Sequence, residues 1–120
     1  MAELYEYSGY LTFTPLPDNK FQKARSLTDQ SGLEMDMGET WLEFDYAGRD
    51  ANRKVIVLLR NLASLIGQAE GEIVCEIATE DGDPTFEFYT IKNRGLYVQQ
   101  GHIVREKSKR KVLQKVLQKV

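Results

Sequence analysis

Apolar and polar residues alternate one by one through most of this chain, and this period of two constrains its fold more than any other feature. In "WLEFDY", Leu42, Phe44 and Tyr46 are separated by Glu43 and Asp45. Successive side chains of a strand point to opposite faces of a sheet, so this segment presents one apolar face and one carboxylate face. Similar alternation predicts six strands, in the segments LYEYSGYLTFT, LEMDM, WLEFDY, EIVCEI, TFEFYTI and LYVQQGHIV.

One strand needs a choice of phase, because both of its faces contain large apolar residues. In "TFEFYTI", we predict that Phe86 and Phe88 face the apolar side of the sheet. Glu87 and Tyr89 then face the carboxylate side. "KNRG" is predicted to be a hairpin turn between this strand and the last one.

The clearest helix is predicted over Ala51–Ile66, with Asp50 as its N-cap and Gly67 just beyond its end. Its valine, isoleucine and leucine residues form one broad apolar face, which is typical of a helix that lies on a sheet. A shorter helix is predicted in "PDNKFQKARSLTDQSG", with Asp18 as its cap and Gly32 at its end.

The resulting order of elements is β-α-β-β-α-β, followed by two strands of a C-terminal hairpin. This order predicts a single α+β domain over residues 1–104 with a ferredoxin-like antiparallel sheet. Both helices would pack on one face of the sheet, and the other face would be open to water.

The chain ends in "KVLQKVLQKV", which we predict to be a basic amphipathic helix in a tail of residues 105–120. A short isolated helix is marginal in water, so its apolar stripe needs a surface to pack on. The candidates are the body of the protein, a second copy, a membrane surface and a partner groove, and a homodimer is favoured among them. The predicted oligomer contacts are Val112, Leu113, Val116, Leu117 and Val120.

Charge divides this chain into an acidic body and a basic tail. The net charge is −8 over residues 1–103 and +6 over residues 104–120. Carboxylates repel phosphate, so the carboxylate face of the sheet is a poor platform for RNA. It is either a solvated surface or a docking surface for a protein with a basic patch, with aromatic residues as anchors. The predicted partner-binding residues are Glu34, Asp36, Trp41, Glu43, Asp45, Glu72, Glu76, Glu87 and Tyr89.

Neither catalytic nor metal-binding chemistry is indicated by the sequence. His102 is the only histidine and Cys75 the only cysteine, and Cys75 lies in an apolar strand between two isoleucines. Two such residues are too few for a zinc site. The carboxylates of "EDGDP" lack the spacing of a calcium loop and suit a turn. We therefore expect a protein that is not an enzyme and needs no cofactor.

The predicted location is the cytoplasm. A single cysteine cannot form an internal disulfide, and the first residues lack the basic start and apolar stretch of a signal peptide. No apolar run approaches the roughly 18 residues that a membrane span requires.

Three stretches, "YSGYLTFTPL", "WLEFDY" and "GEIVCE…DGDPTFEFYTIKN", resemble small bacterial and phage proteins of ferredoxin-like shape. The resemblance implies the fold and carries no activity. Two classes of function remain open. The first is a small protein-binding module, such as an inhibitor or immunity-type protein that covers a basic surface. The alternative is an accessory protein that contacts nucleic acid through its basic tail.

Overall fold

The computed structural model describes residues 3–50, 52–80, 82–105 and 111–120 of the chain. In these ranges the protein is α+β, with two helices and one antiparallel sheet of seven strands. The strands are β1 (Leu4–Thr12), β2 (Met35–Met37), β3 (Trp41–Gly48), β4 (Glu70–Ala78), β5 (Thr85–Lys92), β6 (Gly95–Arg105) and β7 (Lys111–Lys119). The helices are α1 (Asp18–Ser31) and α2 (Lys54–Ile66).

The sheet has the order β2-β3-β1-β4-β5-β6-β7. Strand β1 lies between β3 and β4, and its Tyr7 is opposite Tyr46 on one side and Cys75 on the other. Strands β4 to β7 follow one another as neighbours, so the C-terminal half of the chain extends the sheet in one direction. The seven-stranded order as a whole differs from that of a four-stranded ferredoxin-like sheet.

Both helices contribute buried residues to a single apolar core on one face of the sheet. The alternation predicted from the sequence explains this arrangement, because Leu11, Leu42 and Ile73 all point to the helix-covered face and are at most 1% exposed. Leu59 and Leu62 of α2 are fully buried against them. We call this side the covered face and the opposite side the open face.

Helix α2 begins three residues later than the sequence predicts. It starts at Lys54, because Arg53 adopts the left-handed backbone conformation with a φ of 53° and so interrupts the helical geometry. Asp50 still satisfies the first turn, since its Oδ1 accepts a hydrogen bond from the Lys54 N–H at 2.8 Å. The predicted first residue, Ala51, lies outside the described residues.

The predicted C-terminal helix is wrong, because the residues from Lys111 to Lys119 form strand β7. This strand pairs with β6 along its whole length, from Tyr97 opposite Lys119 to Arg105 opposite Lys111. In a helix, the main-chain groups of this segment would form hydrogen bonds with one another. The edge of β6 also provides main-chain hydrogen bonds, and in addition it provides side chains of a neighbouring strand for packing. Valine at every fourth position also favours a strand over a helix.

The predicted hairpin turn between β5 and β6 is confirmed. Asn93 and Arg94 connect the paired residues Lys92 and Gly95, and both have positive φ, at 52° and 61°. Such a two-residue turn matches the right-handed twist of the strands on either side. The Arg94 N–H also donates a hydrogen bond to the Gly67 carbonyl at 2.9 Å, which ties the turn to the end of α2.

Candidate functional site

Carboxylates dominate the open face of the sheet across strands β2, β3, β1 and β4. Directly paired residues place Asp36 opposite Glu43, Glu43 opposite Tyr10, and Tyr10 opposite Glu72, in one row across the four strands. These strands contain no lysine or arginine. By register, the carboxylates of this face are Glu6, Asp36, Glu43, Asp45, Glu70, Glu72 and Glu76.

No cation neutralises these carboxylates in the part of the chain that the structure describes. The two ion pairs found there join Arg25 to Asp29 on α1 and Arg53 to Glu87 on the covered face. Because carboxylates of the same charge accumulate on neighbouring strands, the open face carries a negative electrostatic potential that attracts cationic groups.

Four of the predicted carboxylates meet at one edge of the sheet. Glu34, Asp36, Glu43 and Asp45 line an open concavity of about 360 Å³ beside β2 and β3. All four side chains are exposed. The main chain holds them in place, since the Asp45 N–H donates a hydrogen bond to the Glu34 carbonyl at 3.2 Å.

An aromatic pair lies next to this concavity. The Trp41 indole stacks on the Tyr10 ring, with centroids 6.0 Å apart and an angle of 11° between the planes. Tyr10 is 48% exposed. Gly38 makes room for the indole, because a Cβ at that position would lie 2.2 Å from the Trp41 Nε1. A flat aromatic surface beside acidic groups is typical of a binding surface for lysine or arginine side chains.

Sequence reasoning identified part of this surface and missed part of it. Glu72 and Glu76 lie on the open face as predicted and are half-buried. Tyr10, Glu6 and Glu70 were missed, although the period of two in β1 and β4 places them on the same face.

Glu87 and Tyr89 do not belong to the open face, and the predicted phase of β5 is wrong. Glu87 is opposite Cys75 and Tyr89 is opposite Ile73, on the covered face, where they are 9% and 1% exposed. Phe88 occupies the open side instead and packs against Phe86, with ring centroids 6.2 Å apart.

A partly buried ion pair explains how a glutamate occupies the covered face. The Arg53 guanidinium pairs with the Glu87 carboxylate, and its Nη2 also donates to the Tyr89 hydroxyl at 3.0 Å. The Tyr89 hydroxyl donates to Glu87 Oε1. Burial raises the pKa of Tyr89, and its bond to Glu87 raises it further. Burial lowers the pKa of Arg53, but the hydrogen bond to Glu87 and the electrostatic attraction of Tyr89 and Glu87 together outweigh this and raise it overall.

A second polar contact connects β1 to the start of α2. The Tyr7 hydroxyl donates a hydrogen bond to Asp50 Oδ2 at 2.5 Å. Burial and this bond raise the pKa of Tyr7. Cys75, opposite Tyr7, is fully buried, and burial raises the pKa of its thiol to about 12. A neutral, inaccessible thiol is a poor nucleophile. We therefore interpret Cys75 as a core residue and the contact between Tyr7 and Asp50 as a contribution to the stability of the fold.

His102, the other candidate for chemistry, lies on strand β6 opposite Thr85. It is exposed, and it lines a shallow cavity of about 210 Å³ together with Glu87 and Gln100. Within the described ranges, no hydrogen bond or ion pair involves the imidazole, and no three residues of His, Cys, Asp and Glu are grouped as metal ligands. Asp81 of the "EDGDP" loop lies outside the described residues.

The predicted oligomer contacts all fall in or next to β7. Val112, Leu113 and Val116 are positions of this strand, opposite Val104, Ile103 and Gln100 of β6. Leu117 is 52% exposed. Val120 is half-buried against the core, and its N–H donates to the Leu96 carbonyl at 2.9 Å.

Comparison with known proteins gives no match: no family model, curated protein or solved structure matches this chain. Over the residues that the structure describes, neither helix combines the length and the apolar character needed to cross a membrane.

Proposed function

We propose that this protein is a small protein-binding module, of the inhibitor or immunity type, whose open face covers a basic surface of another protein. The observation that carries the proposal is the row Asp36, Glu43, Tyr10 and Glu72, which crosses four strands and has no neutralising cation among the described residues. Electrostatic complementarity of this kind steers association and selects partners more than it adds affinity.

Two features support a contact area that combines charge with an apolar anchor. The carboxylates of the concavity surround a place where a lysine or arginine side chain fits. The stacked pair of Tyr10 and Trp41 offers a rigid aromatic surface beside it. Tryptophan, tyrosine and arginine are the residues that most often dominate the binding energy of interfaces.

The proposal assigns the protein a non-enzymatic role, which the positions of Cys75 and His102 support. Cys75 is sealed in the core, and His102 is exposed on another part of the sheet. We also keep the ferredoxin-like arrangement as a proposal for the first six elements. It is supported by the local order β2-β3-β1-β4, in which β1 separates β3 from β4.

A comparison of two charge-reversed variants tests the proposal. Glu43→Lys with Asp45→Lys reverses the centre of the open face, and Asp18→Lys with Asp29→Lys changes the net charge equally on α1, on the other side of the sheet. Wild type and both variants are immobilised, incubated with native lysate, and the bound proteins are identified by mass spectrometry. We expect a basic protein that the wild type and the α1 variant retain and the open-face variant loses.

Two results would count against the proposal. If both variants retain the same proteins as the wild type, the open face is only a solvated surface. If the retained material is nucleic acid, and binding is lost on removing residues 105–120, the basic C-terminal segment is the functional part and the alternative function is correct.

A further inference from the structure

Strand β7 ends the sheet with a long edge whose outer side is unpaired in the described residues. Strand β6 is its neighbour on one side, and the sheet order ends there. The other edge of the sheet is only three residues long, from Met35 to Met37, whereas β7 has nine. Long edges without proline are ready templates for pairing with another strand.

The phase of the main chain shows which groups of β7 are free for such pairing. The Val120 N–H points toward β6, because it donates to the Leu96 carbonyl. Alternate residues of a strand direct their N–H and C=O to opposite sides. The even-numbered residues of β7 therefore bond to β6, and the main-chain groups of Lys111, Leu113, Lys115, Leu117 and Lys119 are directed outward.

We propose that a second copy of this chain pairs with this outer edge, antiparallel and about a two-fold axis through Val116, so that the two sheets become one. The axis stands perpendicular to the sheet, since this is the symmetry that joins two identical strands edge to edge in antiparallel orientation. Each position then lies opposite the position at the same distance on the other side of Val116.

The four-residue repeat makes this register self-complementary. Val116 is opposite its own copy, and Val112 is opposite Val120. Gln114 is opposite Gln118. The outward-directed positions pair as lysine with leucine, so that no lysine is opposite another lysine. A shift of the axis to Lys115 would place Lys115 against itself and Lys111 against Lys119, and like charges directly opposite are destabilising.

This dimer is independent of the proposed function, because it uses the opposite end of the sheet. The acidic concavity lies beside β2, at the first edge, and β7 is at the last. Pairing through β7 leaves both open faces accessible and on the same side of the joined sheet. A bivalent protein of this form would bind partners on both copies.

Proline at an outward position separates edge pairing from folding. Lys115→Pro removes an N–H that is directed away from β6, so the contact with β6 is retained while the outer edge is blocked. Lys115→Ala keeps the N–H and serves as the matched control. In sedimentation experiments over a concentration series, we expect dimers for the wild type and the alanine variant. The proline variant should dimerise at least about tenfold more weakly.

A cysteine pair tests the register. Val116 and its copy would form a non-hydrogen-bonded pair with Cα atoms about 4.5 Å apart, which is within the range of a disulfide. Under mild oxidation Val116→Cys should give a covalent dimer, while Gln114→Cys and the wild type, whose Cys75 is buried, should not. A monomeric wild type, or a proline variant that dimerises as well as the alanine variant, would overturn the proposal. Crosslinking at position 114 alone would overturn the axis through Val116.

Discussion

The Arg53 guanidinium contacts the Glu87 carboxylate beneath the start of α2, and this pair balances the charge of a glutamate on the covered face of β5. Arg53 is the residue just before the helix and has a left-handed backbone conformation. Glu87 lies on the covered face of the sheet. The centroid of the Tyr5 ring lies 5.1 Å from the Arg53 guanidinium carbon, so the ring covers one side of the guanidinium. The pair allows Glu87 of β5 to lie on the covered face, whereas the carboxylates of β1 to β4 lie on the open face.

Removing Glu87 should destabilise the fold. Glu87→Ala leaves Arg53 without its anionic partner, and because the Arg53 side chain is 30% exposed, water compensates part of the loss. We expect the free energy of unfolding to fall by about 1–3 kcal/mol. Glu43→Gln, on the open face, should change it by less than about 0.5 kcal/mol. Urea denaturation measures both values, and equal effects would contradict a structural role for the pair.

Tyr7 and Asp50 should be energetically coupled. Tyr7→Phe removes the hydrogen bond to a buried carboxylate and should cost about 1.5–3 kcal/mol. Asp50→Ala removes that bond together with the contact to the Lys54 N–H. A double-mutant cycle should therefore give a coupling of at least about 0.5 kcal/mol. Additive effects would mean that the hydroxyl contributes nothing through Asp50.

Alkaline pH should weaken the fold through the buried phenols and the thiol. The pKa values of Tyr7, Tyr89 and Cys75 are all raised in the folded protein. The unfolded chain loses these protons first, from about pH 8 for cysteine and about pH 10 for tyrosine. The part of the free energy of unfolding that depends on these three groups is thus fully present below about pH 8 and is lost progressively as the pH rises above it. Tyr7→Phe should show a shallower loss of stability between about pH 9 and 11 than the wild type.

Gly38 should control the position of the only tryptophan. Gly38→Ala places a methyl group where the Trp41 indole lies, so the indole must move away from Tyr10. We expect a changed emission maximum of Trp41 fluorescence and weaker binding of the proposed basic partner. Ala47→Gly, on the strand that contains Trp41, is the control for a small change elsewhere in β3. Unchanged emission in the Gly38 variant would contradict the stacked arrangement.

The alternation of residues predicted much of the architecture. Neighbouring residues of a strand point to opposite faces of the sheet, so the alternation of residues such as Phe44 and Glu43 predicts which side chains are buried under the helices. The same alternation predicts the acidic face of β3. Tyr10 was missed as a site residue because its stacking on Trp41 depends on the pairing of β1 with β3, which is distant in sequence.

Two predictions failed for physical reasons that sequence periodicity does not contain. The phase of β5 was misjudged because Glu87 is buried with a cation 34 residues away. The C-terminal segment was predicted as a helix because a four-residue repeat keeps one helical face apolar. The edge of β6 instead provides pairing for the whole segment, and such a tertiary contact overrides the local pattern.

The central claim is that the open face binds a basic protein, and the affinity of a captured partner for charge-reversed variants tests it most directly. Titration calorimetry at low and at high salt would compare the wild type, Glu43→Lys with Asp45→Lys, and Asp18→Lys with Asp29→Lys. We predict at least about tenfold weaker binding for the open-face variant at low salt, a smaller difference at high salt, and near wild-type binding for the α1 variant. Equal affinities of the two variants at low salt would contradict the claim.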